Sequence, residues 1–322
     1  MNMIRSTFGG LSPNGARAKL HVLIFHRVRA IPDPLFPDEI EAQQFDRLCT
    51  WVKHWFNVLP LDQAVALMHS GALPARALAI SFDDGYADNH EIALPILQHH
   101  GLKATFFIAT AFLNGGRMWN DSVIEAIRMC KAPVLDLTGT VAASLGVMAI
   151  EDLPAKQAAI GRLIGAIKYL TPQERTEWVS AIVLAAGNQP PINLMMNTEQ
   201  IIALQNAGMQ IGAHTANHPI LARLSRSRAR QEIAESKQVL EAMLGRKIDL
   251  FAYPNGKPGV DYLAETVELV RELGFAAAFT TVAAANTAAS DPFQLARYTP
   301  WERTRFRFGI KLMRNYLRRE NN

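Results

Sequence analysis

Asp83 and Asp84 stand side by side ahead of Gly85, directly after the apolar run Ala79-Ile80-Ser81-Phe82. Burying two adjacent carboxylates is costly without a compensating cation. A metal would supply it, one carboxylate binding the ion while its neighbour accepts a proton from water. Read alone, Asp-Asp-Gly is most often a turn, and Gly85 suits either role. His214 and His218 are four residues apart with Pro219 behind them, a spacing that predicts a helical turn with both rings on one side. Two imidazoles and one carboxylate leave a coordination position vacant, the arrangement of a metal that binds and acidifies water. An isolated pair at that spacing is equally consistent with a solvated loop.

These residues stand where strands should end. His26 follows Val22 to Phe25, the Asp pair follows Ala79 to Phe82, the His pair follows Ile211 to Ala213, and Tyr253 to Gly256 follow Leu250 to Ala252. In a parallel barrel the C-terminal ends of strands share one rim, which makes distant residues neighbours. Runs expected as strands are His21–Phe25, Ala77–Phe82, Ala104–Ala109, Met209–Ala213, Asp249–Ala252 and Ala276–Phe279. Helical spacing separates them, at Phe45 to Trp55, Leu61 to Met68, Ile92 to Gln98 and Ile233 to Leu244. Asn197 with Gln200, and Thr171 with Pro172 and Glu174, look like helix starts. The alternation predicts an α/β fold, a distorted (β/α) barrel over about residues 20–300. Residues of about 113–191 break the pattern and read as an Ala-rich helical insertion within one catalytic domain spanning 1–322.

Composition narrows the function classes. The 322 residues are 49% hydrophobic, near the globular average, so disordered and collagen-like chains are excluded. Two cysteines, Cys49 and Cys130, cannot build a disulfide framework and read as reduced and buried. The net charge of +4 is a property of the tail, because residues 303–319 hold seven of the 33 bases and no acid. The first twenty residues lack the apolar stretch of a secretory signal, and Leu273 to Ser290 is too weakly apolar to span a membrane. The expectation is a cytoplasmic protein. Phe306, Phe308, Ile310, Leu312, Met313, Tyr316 and Leu317 lie among the tail's bases, which fits peripheral contact with the inner membrane face or a solvated last helix. No nucleic-acid motif accompanies the tail, so nucleic acid is not expected as a partner.

Ser81-Phe82-Asp83-Asp84-Gly85 followed by His214-Thr215-Ala216-Asn217-His218 resembles the first two motifs of the metal-dependent polysaccharide deacetylases, carbohydrate esterase family four. The resemblance covers about residues 20–300, and both motifs in this order are far more specific than either alone. It implies Asp83 as general base, and Asp84, His214 and His218 as ligands of zinc or a similar divalent ion. Family members commonly carry a late catalytic His, yet no His follows His218. The chain is in this respect similar to the circularly permuted group that includes poly-N-acetylglucosamine deacetylases, where the acid His sits on the first strand. Leu23-Ile24-Phe25-His26-Arg27-Val28 fits that place and makes His26 the candidate acid. The third motif departs too, since Phe251-Ala252-Tyr253-Pro254-Asn255-Gly256 lacks the Arg that usually partners the base. Arg297 could supply that guanidinium, or be an ordinary salt-bridge residue. The loop Tyr253, Pro254, Asn255 resembles the family's groove wall, with a backbone N–H such as that of Asn255 helping to hold an oxyanion.

The resemblance implies hydrolysis of an acetamide on an N-acetylated sugar of a surface polysaccharide or its precursor. Rivals are a deacetylase of a small or lipid-linked glycan, and a carbohydrate-binding protein that kept the metal cradle without turnover. His21, His54, His69, His90, His99 and His100 read as surface or core residues, Trp119 as packing, and Met195, Met196 and Met209 as core filler.

Overall fold

The computed structural model describes residues 2–318, so Arg319, the last base of the tail, lies outside the described residues. Its strands are β1 Leu20–Phe25, β2 Asn57–Val58, β3 Ala77–Phe82, β4 Thr105–Ile108, β5 Val134–Asp136, β6 Val147–Ala149, β7 Gln210–Ala213, β8 Leu250–Ala252 and β9 Ala277–Phe279. The chain divides into two compact units. One holds Met1–Ile31, Asp38–Asn114 and Met196–Asn322, the other Pro32–Pro37 and Gly115–Met195.

In the larger unit a parallel sheet runs β1-β3-β4-β7-β8-β9, with β2 beside the first two residues of β3. All six residues of β1 and of β3 are buried, as expected of parallel strands covered on both faces. Alternate side chains enter two cores. Val22, Ala79, Phe107 and Phe279 pack with the helix Leu61–His69, while Leu23, Ile80, Phe106 and Phe251 meet the surrounding helices. The segment 293–298, which carries Arg297, is not a regular strand. It closes the curl, because Leu295 N–H donates to Ala278 O at 2.9 Å on β9, and Tyr298 N–H donates to Val22 O at 2.8 Å on β1. The distorted (β/α) barrel is therefore present, and each of the six expected strand runs appears within a residue of its limits, while the two-residue β2 was not expected.

The helix Arg305–Leu317 revises the reading of the tail. Phe308, Leu312 and Tyr316 recur every four residues and are buried. Phe308 stacks on Trp55, Tyr316 meets Phe8 edge-on, and Lys19 Nζ donates to Tyr316 O at 2.6 Å. The apolar face that membrane contact requires is occupied by the protein's own core, and of the tail's large apolar side chains only Phe306 and Leu317 are exposed. Among the described residues no helix is long and apolar enough to cross a membrane.

The smaller unit has helices Trp119–Met129, Leu153–Ile167 and Pro172–Ala185 around Val123, Ile127, Leu163 and Ile182. The helix expected to start at Thr171 does so, with Thr171 and Glu174 forming a capping box. The segment is not purely helical, since β5 and β6 pair antiparallel. Each has three residues with only the middle one, Leu135 or Met148, buried, too short an alternation to stand out among Ala-rich neighbours. Arg128 grips Asp33 through two hydrogen bonds of 2.8 and 2.7 Å, tying Pro32–Pro37 to this unit. Arg175 covers the ring of Trp119, which packs in this unit as expected.

Candidate active site

Asp83 and Asp84 leave β3 at the rim. Asp83 N–H still bonds Phe25 O at 2.9 Å, and the chain then turns through positive φ at Asp84 (75°) and Gly85 (94°). A Cβ on Gly85 would press on Ile108 at 3.3 Å, so both backbone angle and space favour glycine there. His214 leaves β7 in the same way, its N–H bonding Ile108 O at 3.1 Å. Before it, Gly212 lets β7 pass the Phe107 ring, which a Cβ would meet at 2.5 Å.

The His pair is not brought together by a helical turn. Residues 214–218 form a loop in which Thr215 (φ 63°) and His218 (φ 49°) are left-handed, a conformation costing roughly 1–3 kcal/mol per residue that persists only where the surroundings enforce it. Thr215 Oγ1 accepts from His218 N–H at 3.1 Å. Glu232, buried on the helix Arg226–Leu244, accepts from Asn217 N–H at 2.8 Å and Asn217 Nδ2 at 3.0 Å, and its carbonyl accepts from Ala216 N–H. Sequence reading passed over Glu232. Its signal was an acid on the apolar face set by Ala229, Ile233, Ser236 and Leu240. The loop so held sets the two imidazoles 4.8 Å apart by ring centroid.

Three ligand atoms converge there. Asp84 Oδ1 lies 3.5 Å from His214 Nε2 and 3.4 Å from His218 Nε2. Asp84 Oδ1 is buried and without a hydrogen-bond partner, which is costly for a carboxylate unless a cation completes it. His214 Nδ1 donates to Ala252 O at 2.7 Å, which directs Nε2 at Asp84 and orients the ring as ligating histidines are oriented. Zinc bonds of about 2.1 Å in tetrahedral geometry put ligand atoms about 3.4 Å apart, so this donor set fits a small divalent ion.

Asp83 has a different partner. Arg297, fully buried on the closing segment, donates to both of its oxygens at 2.6 and 2.7 Å and to Thr280 O at 2.9 Å. Arg297 also reaches Ser81 Oγ at 3.3 Å, a polar side chain in an otherwise apolar strand whose role sequence reading missed. Burial opposes ionisation of Asp83, but the Arg297 guanidinium and then His214 outweigh it and hold the carboxyl below its ordinary range. Asp84 is likewise held low against burial, by His214 and His218. Burial pushes His218 down to about 4, whereas His214, the more deeply buried of the two, is raised instead by Asp83 and Asp84.

His26 lies just past β1, exposed, and its charge acts on Asp83, Asp84 and His218. Asn89 Nδ2 donates to His26 O at 2.8 Å, and Asp88 accepts from Val28 N–H and Arg27 Nε, so the segment is pinned. The Tyr253 side chain faces away from any groove. Its ring is fully buried, stacked on Tyr262 at 3.8 Å, and its hydroxyl donates to Phe293 O. Pro254 is buried and has no N–H, and Gly256 N–H bonds Pro254 O at 2.7 Å. Among the described residues nothing accepts from Asn255 N–H, which leaves it as the loop's candidate oxyanion donor.

A family model described as polysaccharide deacetylase matches residues 70–278. YxkH of Bacillus subtilis strain 168, itself assigned to the polysaccharide deacetylases, is 20% identical over 266 residues. That match covers 82% of this chain and 65% of the relative, so the chain spans about two thirds of its length. IcaB from Ammonifex degensii shares the fold with a TM-score of 0.60 at 19% identity, over 95% of this chain and 98% of that one. The Streptococcus pyogenes deacetylase PplD superposes with a TM-score of 0.58 at 18% identity, over 88% and 92%.

Proposed function

The chain belongs to the polysaccharide deacetylase family, and on that premise we propose that it hydrolyses the acetamide of an N-acetylated sugar in a surface polysaccharide or its precursor. The observation that carries the reading is the bare, buried Asp84 Oδ1 between two imidazole nitrogens, one residue from a carboxylate tied to Arg297. A divalent ion held by Asp84, His214 and His218, with zinc the first candidate, supplies Lewis-acid polarisation of the acetyl carbonyl and a water of lowered pKa.

Asp83 takes a proton from the attacking water. Its two hydrogen bonds to Arg297 leave lone pairs on both oxygens and fix its plane, so no reorganisation is needed when the proton moves. A carboxylate held this low is a weak base, which suits a water already made acidic. Asn255 N–H faces the charge that grows on the carbonyl oxygen as the tetrahedral centre forms. His26 gives its proton to the amine nitrogen as the C–N bond breaks, releasing acetate and the free amino sugar.

The test is acetate release from an N-acetylglucosamine tetrasaccharide, with chelator and after zinc is restored. Release that chelation stops and zinc recovers is expected. Sugar binding with no release under any metal would instead favour a carbohydrate-binding protein that kept the cradle.

A further inference from the structure

His26 lacks what orients His214. Its ring is exposed, and among the described residues no hydrogen bond reaches either ring nitrogen, whereas His214 Nδ1 is fixed on Ala252 O. The imidazole is therefore placed through its backbone. Two consecutive carbonyls at that strand end are held by one segment, with Asp83 N–H donating to Phe25 O at 2.9 Å and Asn89 Nδ2 donating to His26 O at 2.8 Å. Asp88 Oδ1 accepts from Val28 N–H at 3.2 Å and from Asn89 Nδ2 at 3.1 Å, and its Oδ2 accepts from Arg27 Nε at 2.8 Å. We propose that Asp88 and Asn89 are positioning residues for the deacetylation, a side-chain clamp on the backbone around His26 that sets where its imidazole stands relative to Asp83. This rests on the deacetylase reading with His26 as the acid, and adds to it the residues that hold the acid in register with the base.

Burial, local backbone and bond direction each point that way. Asn89 is fully buried and Asp88 is buried beside it, although a polar amide and a carboxylate gain nothing from leaving water unless their bonds are needed where they fall. Those bonds fall on one stretch, residues 26–28. Asn89 opens a π-helical turn, Asn89–Ala93, ahead of the helix Leu94–His100. Such turns are rare inside helices and concentrate at functional sites. Here Asn89 N–H bonds Tyr86 O at 3.0 Å while its side chain is turned toward the end of β1. The Arg27 guanidinium lies over the Tyr86 ring, 4.5 Å from its centroid, so the residue after His26 is both bonded to Asp88 and stacked on the same segment. A general acid works only within hydrogen-bond reach of the atom it protonates, and a misplacement of about 1 Å can cost about 100-fold in rate. A ring with no partner of its own follows any shift of its backbone.

The leaving group separates an acid's placement from the integrity of the site. The phenolate of 4-nitrophenyl acetate departs without a proton, whereas a sugar amine must be protonated to leave. The experiment measures kcat and KM on 4-nitrophenyl acetate and on the N-acetylglucosamine tetramer, with zinc, for wild type, Asn89→Ala, Asp88→Asn and His26→Ala, together with the melting temperature of each protein with and without zinc. Asn89→Ala should lower kcat on the tetramer about 10- to 100-fold, with KM, ester hydrolysis and the zinc shift close to wild type. Asp88→Asn, which keeps an acceptor for Val28 N–H, should lose less in the same pattern, and it carries the comparison alone should Asn89→Ala fail to fold. His26→Ala should spare the ester too and lose about 100-fold or more on the tetramer. Equal losses on ester and tetramer in the clamp variants, or tetramer turnover unchanged in them, overturn the clamp, while ester sparing in His26→Ala leaves the acid standing. Equal losses in His26→Ala overturn the acid and the clamp together. Ester hydrolysis by wild type with no acetate released from the tetramer overturns the deacetylase reading itself.

Discussion

Arg297 and Asp83, 214 residues apart in sequence, meet in a bidentate ion pair with both side chains buried, and the segment that carries Arg297 is the one that closes the sheet between β9 and β1. The pair ties the integrity of the barrel to the orientation of the carboxylate proposed as base.

Arg297→Ala should therefore cost both stability and turnover. Removing one partner of a buried pair leaves an uncompensated charge, at about 3–5 kcal/mol. Arg297→Lys keeps the charge without the two-pronged geometry and should recover stability more than activity. Denaturant unfolding alongside kcat measures the split; equal recovery of both by lysine would show that charge alone matters.

Asp84 and His218 are expected to be required for metal-dependent stability. An ion bound only by the folded state stabilises it by about 2.7 kcal/mol at one hundred times its Kd. Zinc should raise the melting temperature of wild type and leave Asp84→Ala and His218→Ala unmoved. The same zinc shift in all three proteins would remove these residues from the metal centre. Asp83→Asn should keep the shift while losing activity.

Glu232 holds the loop that holds His218. Glu232→Ala frees Asn217 and leaves Thr215 and His218 in a strained conformation, so zinc affinity should fall by about 10- to 100-fold, the usual cost of losing support behind a ligand. Glu232→Gln, which can still accept one of the two hydrogen bonds, should fall between. Zinc calorimetry on the folded variants decides it, and unchanged affinity would reduce Glu232 to packing.

His21 predicts acid sensitivity away from the site. Burial, with Lys19's charge beside it, pushes its pKa down to about 3, and its ring lies tilted against that of Tyr316 with centroids 4.1 Å apart. The unfolded chain takes up a proton near the ordinary value of 6.5 and the folded chain waits until about 3. The unfolded state binds more protons in between, so stability falls as pH drops through that window, by about 1.4 kcal/mol per unit at most. His21→Leu should flatten the slope between about pH 6.5 and 5, before the carboxylates titrate. An equally steep slope in that variant would place the sensitivity elsewhere.

The chemical inventory was legible without coordinates because its signals are local. A polar pair directly after an apolar run marks a strand end, and parallel strand ends share a rim; this is enough to gather Asp83, Asp84, His214, His218 and His26 on one side. The backbone that unites the two histidines was not legible, since a spacing of four fits a helical turn as well as a loop with two left-handed residues. Nor was the role of Glu232, because an acid on a helix reveals its burial only when the helix is packed. Tyr253 sits beside the rim in sequence yet turns inward, where stacking on Tyr262 and a bond to Phe293 O satisfy it.

What the amino-acid order determined alone is the set of reactive groups, the strands that end at them and the helix starts, all written in neighbouring residues through periodicity and capping. Tertiary structure decided the rest: that Arg297 meets Asp83, and that the basic tail's apolar face is filled by Phe8 and Trp55. Those relationships depend on how far the sheet curls before it closes. Closure is a sum of small twists and packing contacts over the larger unit, and no single stretch of residues contains it.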